Sequence, residues 1–228
     1  RSTPLYSSAA SDVYKRQEKY LSVAKTEATP NYITADFVMS SPDLKHCPRD
    51  DLPEVAFCGR SNAGKSSVLN RIANNKGLAK VSRTPGRTRL INFFNVKTGG
   101  RIADLPGYGY AKAGKTEQQA WQKAVNRYLS FRENLVGLVL ITDIRHPDQP
   151  LDNDLLKWAL SSQIPVRLLL NKADKVSKNR QAVALKKANE RFVKNGLVTI
   201  QTFSALKGTG TDQLNSTLHK WLSGNPEL

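Results

Sequence analysis

Apolar residues along this chain recur with two different periods. Short runs near 54–58, 90–96, 101–104, 135–142, 165–170 and 198–203 hold the branched and aromatic residues that favour strands. Between them the spacing changes to that of amphipathic helices. Ala120, Trp121, Ala124, Val125, Tyr128 and Leu129 form one stripe, and Leu214, Leu218, Trp221 and Leu222 form another. The aromatics in these stripes are read as core residues, because a one-sided apolar stripe needs a partner surface. Alternating strands and helices predict an α/β domain of three layers, a sheet with helices on both faces. Lys97-Thr98-Gly99-Gly100 joins two strand runs through a hairpin-type turn. The run at 90–96 is therefore expected to lie antiparallel at the sheet edge, in a six-stranded mixed sheet whose other strands are parallel. Loops leaving the C-terminal ends of such strands converge on a ligand, and here they are 59–66, 104–110, 171–174 and 204–207.

Charge bears on the partner more than on the fold. The 228 residues carry a formal net charge of +16. Lysines and arginines gather at Lys76, Lys80, Arg83, Arg87, Arg89, Lys97 and Arg101, and again at Lys175, Lys178, Arg180, Lys186, Lys187, Arg191 and Lys194. Clustered positive charge of this size favours an RNA partner over a merely solvated surface. No apolar run approaches the roughly 20 residues of a membrane span, so no membrane partner is expected. Cys47 and Cys58 lack metal-ligand spacing and are read as reduced thiols of a cytoplasmic protein. His46, His146 and His219 stand apart in sequence and are read as structural or surface residues. Residues 1–17 are set aside from fold reasoning. Ser7 to Gln17 coincide with the in-frame translation of a transposase-based sequencing adapter, so this stretch is expected to be non-native and disordered, with the encoded fragment beginning near Glu18.

The chemistry begins after the first strand run. Gly59-Arg60-Ser61-Asn62-Ala63-Gly64-Lys65-Ser66, with Ser67 following, is a complete G-x-x-x-x-G-K-S phosphate loop. Its glycines let backbone N–H groups turn inward around phosphates, Lys65 reaches the β/γ oxygens and Ser66 ligates Mg²⁺. The ligand class is a nucleoside triphosphate with magnesium. Asp104-Leu105-Pro106-Gly107 closes a second apolar run, placing Asp104 to hold magnesium through water and the Gly107 N–H to meet the γ-phosphate. Alone, this segment is also an ordinary Asp-Pro-Gly turn. Its place after the phosphate loop gives it the catalytic reading. Asn171-Lys172-Ala173-Asp174 follows a third strand run and selects the base. Asp174 can accept from both N1–H and the 2-amino group of guanine, whereas adenine offers neither donor. Asn171 fixes the loop, the Lys172 stem covers the ring, and Phe203-Ser204-Ala205 supplies a backbone N–H for guanine O6. GTP and GDP are thus the expected nucleotides.

Longer words in the chain narrow the comparison. Phe37 to Asp43, Gly59 to Ser67, Thr84-Pro85-Gly86-Arg87-Thr88, Asp104 to Ala111 and Asp143-Ile144-Arg145-His146-Pro147 resemble the EngB (YihA/YsxC) family of bacterial ribosome-biogenesis GTPases. The resemblance runs from about residue 31 to 223. It implies a Ras-like P-loop GTPase fold, with residues 18–50 as an N-terminal extension and 51–228 as the GTPase domain. It makes Thr88 the threonine that ligates magnesium and senses the γ-phosphate, and Gly86, Arg87, Thr88, Arg89 and Leu90 nucleotide-lining residues. It also implies a monomer that binds the large ribosomal subunit precursor and its RNA, in a family linked to septation and cell division. A signalling-type switch that binds a protein effector without RNA is the alternative. Tyr108, directly after Gly107, cannot orient attacking water as a glutamine does, so slow intrinsic hydrolysis is expected. Asn62 has two readings: a residue that shapes the loop, or a ligand for a K⁺ ion that supplies charge to the transition state. The catalytic set is then Lys65, Thr88, Gly107 and Asn62.

Overall fold

The computed structural model describes residues 32–79, 90–108, 115–192 and 196–223. The strands are β1 (Ala35–Ser41), β2 (Glu54–Gly59), β3 (Ile91–Val96), β4 (Arg101–Asp104), β5 (Leu135–Asp143), β6 (Val166–Asn171) and β7 (Val198–Thr202). The helices are α1 (Lys65–Ile72), α2 (Lys115–Phe131), α3 (Pro150–Ser161), α4 (Lys178–Phe192) and α5 (Thr211–Leu222). The described strands form one sheet in the order β1-β3-β4-β2-β5-β6-β7. Only β3 runs against the rest, pairing antiparallel with both β1 and β4.

Two expectations about the sheet are corrected here. It has seven strands, not six, and the reversed strand at 91–96 is not the edge. β1 covers it, with Ala35 opposite Val96 and Ser41 opposite Ile91. Outermost strands carry a weak sequence signal because one face and one edge stay open. Phe37 and Val38 are 57% and 42% exposed, and a bulge between Phe37 and Met39 breaks the alternation. Part of the expected N-terminal extension is therefore sheet, packed through an edge-on contact between Phe37 and Phe94 with ring centroids 5.8 Å apart.

The helices divide between the two faces as the periodicity predicts. Val125, Tyr128 and Leu129 of α2, Leu156 and Ala159 of α3 and Ala188 of α4 share one buried cluster with the sheet. Val68, Leu69 and Ile72 of α1 share the other with Leu214, Leu218, Trp221 and Leu222 of α5. Trp221 lies flat enough on β5 that a Cβ at Gly137 would sit 2.5 Å from its indole, so only glycine fits there. The Lys97–Gly100 turn is a hairpin as expected, closed by Gly99 N–H to Val96 O at 3.0 Å.

At the N-terminal end of β2, fully buried Glu54 accepts from Arg101 Nη1 at 2.9 Å, Arg132 Nη2 at 2.6 Å and Tyr128 Oη at 2.9 Å. Arg101 also reaches Asp50 at 2.6 Å, and this bond holds the Asp50 carboxyl below its usual range. Burial pushes the Tyr128 phenol well up, and the facing Glu54 charge adds to it. This cluster locks α2, β4 and β2 together at the end of the sheet opposite the phosphate loop.

Candidate nucleotide site

The phosphate loop leaves the last residue of β2 and enters α1 at Lys65. Gly64 is the N-cap of α1 at φ 99°, a left-handed conformation that strains any side chain, and a Cβ there would lie 2.4 Å from Asn171 Nδ2. Gly59 is equally confined, since a Cβ would lie 2.5 Å from the Ile141 carbonyl. The first-turn N–H groups of α1 are left without intrahelical partners, and they and the helix dipole suit an anion at this end. Lys65 Nζ forms an ion pair with Asp104, and the two side chains are only 10% and 4% exposed. Ser66, beside Lys65, and Asp104, at the end of β4, supply a hydroxyl and a carboxylate oxygen, a donor set that suits hard, oxygen-seeking Mg²⁺. Gly86, Arg87, Thr88 and Arg89 lie outside the described residues, while Leu90 precedes β3 and is 39% exposed.

The segments expected to select the base bond this loop directly. Asn171 ends β6, is buried, and donates from Nδ2 to the Ala63 carbonyl at 2.8 Å. Its Oδ1 accepts from the Ala205 N–H at 3.4 Å. Lys172 takes a left-handed φ of 63° and sends Nζ to the Asn62 carbonyl at 2.6 Å and to Asp143 at 3.0 Å. Asp174 accepts from the Ser204 hydroxyl at 2.6 Å, and that bond holds its carboxyl below the usual aspartate range. Asp174 is thus an ionised acceptor, with Ala205 one residue beyond its Ser204 partner. Backbone bonds Phe203 N–H to Leu170 O and Ala173 N–H to Phe203 O, at 2.9 and 3.0 Å, hold the two segments side by side.

The Asp104–Gly107 segment runs alongside the start of the phosphate loop, with Leu105 fully buried and a parallel bridge pairing Tyr108 with Arg60. Ser61 N–H donates to the Tyr108 carbonyl at 2.7 Å, and Tyr108 N–H to the Gly59 carbonyl at 3.3 Å. The Tyr108 hydroxyl donates to Asp152 Oδ1 on α3 at 2.7 Å, inside the protein. Burial pushes both the Tyr108 phenol and the Asp152 carboxyl up. A tyrosine anchored this way does not position water on a phosphate.

Sequence reasoning named the Asp143-Ile144-Arg145-His146-Pro147 word without giving it a place in the site. Asp143 ends β5, the strand beside the phosphate-loop strand, and with Arg145 and His146 it borders a cleft of about 220 Å³ shared with Arg60, Asn62, Gln149 and Lys172. Asp143 is bound by Arg145 Nη2 at 2.6 Å and by Lys172. Burial acts against its ionised form, yet the Arg145 and Lys172 bonds outweigh it and keep the carboxyl well below its usual range. Arg60, in turn, reaches Gln149 at the start of α3. The available signal was topological, because the open end of this strand adjoins the loop on β2.

Likeness to known proteins places the chain in a family and bears out its fold. The family described as 50S ribosome-binding GTPase matches residues 54–172. The probable GTP-binding protein EngB of Escherichia coli strain K12 is 49% identical over 194 residues, covering 85% of this chain and 92% of that protein. Among solved structures, a probable GTP-binding protein engB superposes with a TM-score of 0.61 at 24% identity, covering 74% of this chain and 98% of the other. NFeoB from S. thermophilus, bound to GDP·AlF4⁻ and K⁺, superposes with a TM-score of 0.56 at 23% identity, covering 76% and 63%.

Proposed function

Since the chain belongs to the EngB family of GTP-binding proteins, we propose that it hydrolyses GTP as a switch in assembly of the large ribosomal subunit. The observation that carries this reading is the joining of two recognition elements. Asn171 Nδ2 bonds Ala63 O, tying the base-selecting segment to the phosphate loop, so one guanine nucleotide can satisfy both. Ser66, Asp104 and Thr88 are the residues that would hold Mg²⁺, whose chemistry is to neutralise charge on the β- and γ-phosphates. Lys65 exchanges Asp104 for the phosphate oxygens, Gly107 offers its N–H to the γ-phosphate, and Asp174 accepts from the base. Tyr108 bonds Asp152 and does not activate water, so hydrolysis on the chain alone is slow.

The RNA part of the reading rests on charge. Lys178, Arg180, Lys186, Lys187 and Arg191 are exposed along α4, a helix that begins four residues after Asp174. Phosphates reward such a surface without base readout. In this reading GTP holds the segments around Thr88 and Gly107 in a ribosome-competent arrangement in the cytoplasm, and hydrolysis releases them. The test is binding of the chain to precursor large subunits, with a non-hydrolysable GTP analogue or with GDP, across a salt series. Tighter binding with the analogue and a steep loss of affinity with salt are expected. Equal binding with both nucleotides would remove the switch, and salt-insensitive binding would move the partner from RNA to protein.

A further inference from the structure

The turn after β7 presents Ala205 to the base, and what holds that turn in place is a side chain from the opposite end of the phosphate-binding helix. Arg71, in the last turn of α1, donates from Nε to the Ala205 carbonyl at 2.6 Å and from Nη2 to the Leu206 carbonyl at 2.8 Å. Among the described residues no other side chain donates to either carbonyl. The preceding peptide is held within the turn itself. The Ser204 carbonyl accepts from Gly208 N–H at 2.7 Å, so the N–H of that same peptide, belonging to Ala205, points the other way. There it meets only a long 3.4 Å bond to Asn171 Oδ1, a contact weak enough to yield to a better acceptor. Ser204 is buried and Ala205 packs on the core, but Leu206, next along the turn, is 64% exposed, so beyond Ala205 the turn has little packing to hold its two carbonyls.

We infer that Arg71 is a positioning residue for guanine recognition: by clamping two successive carbonyls it fixes the Ala205 N–H for the oxygen at position 6 of the base. This rests on the nucleotide reading above. A planar guanidinium suits the role because its donors hold two neighbouring carbonyls in one rigid fork, whereas an ammonium is a point charge on a flexible stem. The clamp also belongs to the helix whose first turn meets the phosphates, so it sets the distance between base contact and phosphate contact. Asp174 is held by the Ser204 hydroxyl, and Ser204 is anchored through its own peptide groups to Thr209 and Gly208, so recognition of N1–H and the 2-amino group does not run through Arg71.

The experiment compares dissociation constants at neutral pH for GDP, 6-thio-GDP and inosine diphosphate, in the wild type, Arg71→Ala and Arg71→Lys. 6-Thio-GDP weakens the acceptor at position 6 alone, and inosine diphosphate lacks only the 2-amino group. Arg71→Ala should lower the preference for GDP over 6-thio-GDP by about five- to tenfold, the scale of one hydrogen bond. Its preference for GDP over inosine diphosphate should stay within about twofold, with Arg71→Lys between it and the wild type. An unchanged 6-thio ratio overturns the inference, as does an equal fall in both ratios, which marks general loosening. Should Arg71→Ala fail to fold, Arg71→Lys decides alone, and an unchanged ratio there is equally fatal. A wild type with no preference for GDP over ADP overturns the guanine site itself, and this inference with it.

Discussion

Replacing Asp174 with asparagine tests the base assignment with little risk to the fold. The Ser204 hydroxyl donates to Asp174 Oδ1 at 2.6 Å, and an amide oxygen can accept that bond as well. The oxygen therefore stays on the Ser204 side and the new NH₂ takes the place of Oδ2. Guanine then meets a donor where it needs an acceptor. One charge-assisted bond is worth about 1.5–3 kcal/mol and facing donors add to the loss, so GTP should weaken by at least ~2 kcal/mol, about 30-fold. Xanthosine triphosphate carries a carbonyl in place of the 2-amino group and should gain. Titration calorimetry or a fluorescent-nucleotide assay with both triphosphates measures the inversion, and a melting curve within a few degrees of wild type excludes unfolding. A variant that still prefers GTP over xanthosine triphosphate would refute the role given to Asp174. The pH dependence follows with a definite sign. Because Ser204 holds the folded carboxyl below its ordinary value of 3.8, Asp174 acts as acceptor above that value and loses the role only as pH falls through its lowered value. Wild-type guanine affinity should show no loss from Asp174 protonation between about pH 8 and pH 5.

Three other outcomes are expected. Lys65→Ala should abolish tight, magnesium-dependent GTP binding while circular dichroism stays native, since among the described residues Lys65 pairs only with the Asp104 carboxylate; retained micromolar affinity would contradict the phosphate-loop role. Arg132→Ala strands one side of buried Glu54 and should destabilise the fold by about 3–5 kcal/mol in denaturant unfolding, with nucleotide affinity of the folded fraction unchanged. KCl should speed hydrolysis over NaCl at equal ionic strength and Asn62→Ala should remove the difference; equal rates in both salts would leave Asn62, at φ 67°, a loop-shaping residue.

Local chemistry was legible in the chain because it is local. The phosphate loop needs glycine where φ is positive or a Cβ collides, so Gly59 and Gly64 declare the turn before any fold is known. The α5 stripe, the Val125–Tyr128–Leu129 part of the α2 stripe and the hairpin at Lys97–Gly100 were readable for the same reason, since periodicity and turn chemistry act over a few residues; the side chains of Ala120 and Trp121 lie outside the described residues. β1 was not, because an exposed edge strand needs only its neighbour's backbone, and its bulge erases alternation. Nor was the Glu54 cluster, which joins residues 50, 54, 101, 128 and 132 through contacts that no spacing encodes. The site divides the same way. Sequence alone named the groups proposed to meet phosphate and base, because each motif carries its own donors and acceptors. Tertiary structure alone decided how they are held: Asn171 on the Ala63 carbonyl, Tyr108 turned to Asp152, and Arg71 clamping Ala205 from 134 residues away. Such partners are selected by the packing of α1, α3 and the strand ends, a property of the assembled sheet and of no segment within it.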